Sequence, residues 1–249
     1  MSQQSDQNMT LCDDIDLNFP LPRQADLRAG VVLHMGYPDP TCVTGRVMEE
    51  ITKGIRACQE LVRPKALLQL TSYEKLSENA IYGKGVCIES TNWKRLTARM
   101  TGVHSLCCLA VTLGDAVDTR IKELGKSAVL KALVLDAAAS VMAEYYANQL
   151  QQRVHACVEQ KGYQASARFS PGYCDWPMAD GQRSLFPFLC PETIGISATP
   201  SGLMIPRKSI TAVIILADEM PAQTPCFLCA RDCPHRRAPY RADTNNRGN

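Results

Sequence analysis

The chain has little net charge. Its 27 Lys and Arg stand against 25 Asp and Glu, a formal balance of +2 over 249 residues. No basic stripe with interleaved aromatics occurs. Both features argue against a broad phosphate-binding surface of the kind that grips nucleic acid. The N-terminus, Met1-Ser-Gln-Gln-Ser-Asp6, lacks the basic-then-apolar pattern of a secretory signal. Long hydrophobic runs are missing too. The most apolar stretch, Ala128 to Ala143, is interrupted by Lys131 and Asp136 and is too short to span a bilayer. A cytoplasmic protein without membrane contact is expected. Gly-x-Gly-x-x-Gly and phosphate-loop spacings are absent, which removes the usual nucleotide cradles. Repeats are absent, and no low-complexity segment precedes residue 241. The four histidines, His34, His104, His155 and His235, are dispersed, so no catalytic triad or His-rich metal site is legible.

What is present suits a globular protein. A chain of 249 residues with 45% hydrophobic and 21% charged content can bury a substantial core, as one large domain or two small ones. Its 12 cysteines are many for a reducing compartment. They are scattered, and Cys107 and Cys108 are adjacent, which does not read as a disulfide framework. Most read as small core hydrophobes. The exception is Cys226-Phe-Leu-Cys229-Ala-Arg-Asp-Cys233-Pro-His235. Three thiolates this close can hold zinc or an iron–sulfur cluster, with His235 or Cys190 as a further ligand. A cysteine-rich tail that binds nothing fits the same residues.

Periodicity gives the elements. Residues 1–22 are polar and acidic and are expected to form a loose tail; a short apolar segment runs from Asp26 to Met35. Val47, Ile51, Ile55, Cys58 and Val62 share one face of a helix from Gly45 to Val62, which Thr44 can cap and Pro64 stops. Ala66 to Leu70 reads as a strand, Val86-Cys-Ile88 as a brief one, and Trp93 to Met100 as a short helix. Val103 to Thr112 is a continuous apolar run between Gly102 and Gly114, expected to be a buried strand. A helix from Ala116 to Leu124 follows, ended by Gly125. Met178 to Leu189 reads as a helix broken by Pro187. Ile194 to Thr199 and Lys208 to Leu216 read as the arms of a hairpin with an extended tip. The fold class is α/β (α+β), with a mixed, largely antiparallel sheet flanked by helices. Domain bounds fall at a 1–22 tail, a 23–220 body and a 221–249 cysteine-rich tail.

The longest helix is expected over about 127–160. It is apolar almost all round, as in a mostly buried helix. Its polar residues fall in single file at a spacing of four: Asp136, Ser140, Glu144, Asn148, Gln152. Such a row makes one narrow stripe, which either faces water or lines a cleft. Water is the expectation for Asn148 and Gln152.

The most pointed chemistry lies between Ala167 and Ile210. Arg168 stands four residues before Gly172-Tyr173, with Pro171 between. An Arg offers a planar fork of donors for a carboxylate or phosphate. Pro171 and Gly172 allow a sharp turn whose bare backbone can approach a ligand, with Tyr173 at the mouth. A Pro-Gly turn with a surface Arg is the plainer alternative. Further on stands Ser201-Gly-Leu-Met204-Ile-Pro206.

Arg168-x-x-x-Gly172-Tyr173, the Pro177 that follows, and Ser201-x-x-Met204-x-Pro206 resemble the activation domain of cobalamin-dependent methionine synthase, above all its free-standing relatives. By order of elements the resemblance runs from about residue 20 to about residue 218; it is sharp only between Ala167 and Ile210. It implies a curved sheet, and S-adenosylmethionine as the ligand that re-methylates an oxidised corrinoid after one-electron reduction. Ala143-Glu144-Tyr145 resembles the Ala-Glu-Tyr whose Glu helps hold the ligand in that family. The site residues it implies are Glu144, Arg168, Gly172, Tyr173, Ser201 and Met204. Arg168 suits the ligand's carboxylate and Glu144 its ammonium. Reduced cobalt is a strong nucleophile and a sulfonium a good leaving group, so orientation is the protein's task and no catalytic side chain is assigned.

The chain also departs from the family. Cys174-Asp-Trp-Pro177 stands where the fused domain carries Pro-Ala-Cys-Pro, and the fused domain's acidic ligand residue near its N-terminus has no match. No Asp-x-His-x-x-Gly cobalamin-binding pattern occurs. The corrinoid is therefore expected on a partner, a corrinoid-binding protein or a shortened methionine synthase, with an electron donor such as flavodoxin or ferredoxin. Two other readings stand beside this one: a redox or metal protein acting through Cys226, Cys229 and Cys233, and a non-catalytic partner-binding scaffold.

Overall fold

The continuous apolar run around Cys107 marks the centre of the molecule. The computed structural model describes residues 15–90, 92–98, 100–173 and 176–220. Helices α1 (Gln24–His34) and α2 (Gly45–Leu61) lead into strands β1 (Lys65–Leu76), β2 (Ala80–Gly83) and β3 (Val86–Glu89). Helix α3 (Asn92–Thr97), strand β4 (Thr101–Thr112), helix α4 (Ala116–Leu124) and the long helix α5 (Val129–Glu159) follow. Strand β5 (Gln164–Ala165), helix α6 (Met178–Leu189), the short strands β6 (Ser197–Ala198) and β7 (Met204–Ile205), and β8 (Ser209–Glu219) complete the order. No helix among the described residues is long and apolar enough to cross a membrane.

The main sheet has the order β3-β2-β1-β4-β8-β5, and each of these neighbouring pairs is antiparallel. Strand β4 is central, with Leu109 opposite Leu68 on one side and Ala212 on the other. Successive side chains of a strand point to opposite faces. Cys107, Leu109 and Val111 enter a core shared with α1, α2, α4 and α5. Leu106, Cys108 and Ala110 enter a second core with Trp93, Trp176 and Leu185 of α6. Both faces are covered, so β4 shows no alternation. That covering explains a continuous apolar run in an antiparallel strand.

Several boundaries differ from the sequence reading. The apolar segment at Asp26–Met35 is helix α1. The strand that starts near Ala66 extends to Leu76, and the Val-Cys-Ile strand is half of a hairpin with β2. Thr44 stands at the N-cap of α2 without a side-chain cap bond. Pro187 does not break α6, which continues to Leu189 and closes at Cys190 with φ 49°. Proline removes one N–H bond to the carbonyl of residue 183, and both positions are exposed, so water can satisfy that oxygen. The expected hairpin between Ile194–Thr199 and Lys208–Leu216 is absent. Strand β8 pairs with β4 along most of its length, where Val213, Ile214 and Ile215 are buried. Strand β6 pairs instead with β7 in a separate two-stranded ribbon. Of the 1–22 segment, Ile15 is buried and Phe19 meets the Tyr146 ring edge-on, centroids 5.5 Å apart, on α5.

A candidate ligand site between the long helix and the sheet edge

In α5, Asp136, Ser140, Glu144 and Asn148 recur every four residues, so the row turns only about 40° per step around the helix. Two cations from distant segments meet this row. Lys208, in the turn that leads into β8, donates from Nζ to Asp136 Oδ1 at 2.8 Å and to Ser140 Oγ at 2.8 Å. Arg168, in the chain after β5, sets Nη2 on Glu144 Oε2. Its Nη1 donates to Asn148 Oδ1 at 2.6 Å and to Gln151 Oε1 at 3.3 Å. The Arg168 backbone N–H reaches Gln151 Oε1 at 3.2 Å. The stripe therefore faces two buried cations. For Asn148 this corrects the expectation of a residue that simply faces water: a guanidinium shut away from solvent needs acceptors for its N–H groups, and Asn148 supplies one. Gln152 is exposed, and its amide oxygen accepts from Gln149 at 3.2 Å.

The turn that carries Arg168 is built as its residues imply. Phe169 and Val213 exchange both backbone hydrogen bonds at 2.8 Å, which extends the outer edge of β8 by a bridge. The chain then leaves the sheet at Pro171. Gly172 takes φ 91°, a region that L side chains avoid, and its N–H donates to Trp176 O at 2.8 Å. This places Tyr173 so that its hydroxyl donates to Glu144 Oε1 at 3.4 Å. Beneath the turn the Phe169 and Trp176 rings stack 5.0 Å apart, and Trp93 meets both edge-on. Aromatic packing of this kind fixes the backbone from which Arg168 projects.

Glu144, Arg168 and Tyr173 are thus in direct contact, with Gly172 shaping the turn between the last two. Ser201 and Met204 lie on the β6–β7 ribbon. The Ser201 hydroxyl bonds Thr199 Oγ1 at 2.9 Å, and Met204 packs against the second core. Gly202, with φ 83°, presses on the start of α6, where an added Cβ would lie 2.9 Å from the Ala179 N. Met178, one residue earlier, borders Gly172. The ribbon and the Arg168 turn therefore flank the same first turn of α6. Lys208, Asn148 and Gln151 were not marked as site residues. The four-residue spacing was the available signal for Asn148, and nothing local marks Lys208 as a partner of Asp136.

Each half of the arrangement has one form. A buried cation stands behind a carboxylate at the front, with side-chain exposures of 5% and 35% for Arg168 and Glu144, and 9% and 32% for Lys208 and Asp136. The carboxylates can accept hydrogen bonds from a ligand, and a displaced Glu144 would free the Arg168 fork for an anion. In the cores on either side of the sheet, burial pushes the thiols of Cys58 and Cys108 up to about 12. Among the described residues no group of three His, Cys, Asp or Glu is placed to hold a metal ion. Cys226, Cys229 and Cys233 lie outside the described residues, as does His235.

Fold and site together define an antiparallel α+β protein with a row of charged contacts where a long helix meets the edge of the sheet. Among solved structures, the crystal structure of the MetH reactivation domain bound to AdoHcy matches it with a TM-score of 0.57 at 14% identity. The match covers 85% of this chain and 81% of that one, and it establishes a shared fold. No family model matches the chain, and no curated protein does.

Proposed function

We propose that the protein binds S-adenosylmethionine and supports the reductive re-methylation of a corrinoid carried by a separate corrinoid-binding protein or shortened methionine synthase. One observation carries this reading: Arg168, Glu144 and Tyr173 meet at one point of a fold shared with a domain whose structure holds AdoHcy. The site residues are Glu144, Arg168, Gly172 and Tyr173, with Ser201 and Met204 on the ribbon beside the same helix turn. The ligand's carboxylate takes the Arg168 fork and its ammonium takes Glu144, so an amino-acid zwitterion replaces the resting ion pair by two of opposite pairing. Tyr173 closes the mouth, and Gly172 leaves its backbone bare beside the ligand. Bound S-adenosylmethionine supplies an electrophilic methyl group. The residues named here hold and orient it, and no proton transfer is required of them. The electron comes from a donor such as flavodoxin or ferredoxin.

Calorimetric titration of S-adenosylmethionine into the wild type, Arg168→Ala and Glu144→Gln tests the reading. Wild-type binding, weakened in both variants by about 2 kcal/mol, the scale of a charged hydrogen bond, is expected. A folded wild type that binds neither S-adenosylmethionine nor S-adenosylhomocysteine overturns it.

A further inference from the structure

The proposed function uses the Arg168–Glu144 half of the α5 stripe and leaves the Lys208–Asp136–Ser140 half without a task. Lys208 is nearly shut away from solvent, and both of its bonds, to Asp136 Oδ1 and to Ser140 Oγ, fix groups on α5. An ammonium buried in this way is costly unless it is paired. Asp136 gives one oxygen to Lys208, yet a carboxylate can accept about four hydrogen bonds. A third of its side chain remains exposed.

We propose that Asp136, positioned by Lys208 and Ser140, accepts hydrogen bonds from the vicinal ribose hydroxyls at the nucleoside end of the same ligand. This rests on the S-adenosyl reading of the Arg168 half. Three observations support it. Asp136 repeats the form of Glu144, a partly exposed acceptor braced from behind by a buried cation. The two carboxylates stand eight residues apart on one helix, about 12 Å along its axis. Eight covalent bonds join the α-nitrogen of an S-adenosyl amino acid to a ribose hydroxyl, about 9 Å when extended, and a hydrogen bond at each end makes up the difference. Finally, the outer edge of β8 from Ser209 to Ala212 has no strand beside it among the described residues. That open edge begins next to Lys208 and ends at Val213, opposite the residue after Arg168, a span of about 13 Å. It lies along the line that joins the two halves. A carboxylate is a recurrent partner for a ribose 2′-hydroxyl because it accepts from both members of the diol.

The test compares S-adenosylhomocysteine with its 2′-deoxy counterpart by calorimetry, on the wild type and on Asp136→Asn. The wild type should prefer the ribose ligand by about ten-fold. In Asp136→Asn the preference should collapse towards unity, because the variant loses the bond to the 2′-hydroxyl that only the ribose ligand makes, while any loss at the shared 3′-hydroxyl falls on both ligands alike. The ligand-side comparison on the wild type needs no substitution, so a poorly folding variant does not spoil it. Equal binding of the two ligands by the wild type overturns the proposal, as does a preference that Asp136→Asn leaves unchanged. In either of those cases S-adenosylhomocysteine still binds, and the function proposed above stands. A wild type that binds neither ligand removes both.

Discussion

At the scale of single residues, Arg168 is the side chain on which most depends. Its guanidinium holds Glu144, Asn148 and Gln151 in fixed positions on α5. Arg168→Ala should lower stability by about 2 kcal/mol, less than for a wholly buried ion pair because Glu144 is partly exposed. Urea unfolding measures this, and the loss should shrink when Glu144→Leu is added, since the stranded carboxylate is then gone. The thiols divide by burial. Cys42, Cys87 and Cys190 are exposed, whereas Cys58, Cys107 and Cys108 are buried. In a native labelling experiment at neutral pH the first three should react with a thiol reagent promptly. The buried three should react only on unfolding, their protons held in the case of Cys58 and Cys108 by burial.

At the scale of elements, legibility depended on whether an element is specified locally. Helix α4 lies between Asp115 and Gly125 as the sequence suggests, although Asp115 makes no side-chain cap bond and Gly125 stays right-handed at φ −58°, and β4 was visible as an unbroken apolar run. Partnership was harder to read. A spacing of four shows that Asp136, Ser140, Glu144 and Asn148 share a side of α5, but not what that side faces. The answer came from Lys208 and Arg168, both many residues away. The hairpin expectation failed for the same reason. The apolar residues of β8 suit a strand buried on both faces, and they pair with β4 instead of with the exposed dipeptide Ser197-Ala198. The Arg168 turn is the opposite case, since Pro171, Gly172 and Tyr173 specify it locally and the structure forms it there. A test at this scale is Gly202→Ala. It combines φ 83° with a close approach to the Ala179 backbone. It should destabilise the protein by about 1–2 kcal/mol, read as a lower melting temperature. It should also displace the ribbon from the start of α6.

At the scale of the whole molecule, alkaline pH is the informative variable. The Cys58 and Cys108 thiols and the Tyr146 hydroxyl all lie in the cores, and burial raises each to about 12. Unfolded, they ionise nearer 9 for the thiols and 10 for the phenol. Groups raised on folding add stability that is complete below the unfolded value and is lost as pH rises towards the folded one. Unfolding free energy should therefore fall between pH 9 and pH 12, and Cys58→Ala should flatten that slope even though it lowers stability at neutral pH. A denaturation series across that range, monitored by tryptophan fluorescence, reads both effects. Trp93 and Trp176 report well because both are buried in one core.

The position of β8 bears on how the protein comes into being. It is the final described strand in chain order, yet it lies between β4 and β5 inside the sheet. Lys208 stands at its entrance, and the Arg168 segment is bridged to its Val213. A growing chain that has not yet released residues 208–219 from the ribosome therefore has an incomplete sheet, lacks the Lys208–Asp136 pair and lacks the Val213 bridge beside Arg168. Under the function proposed above, a product truncated before residue 208 should therefore not capture the ligand, whereas a chain that reaches Glu219 should.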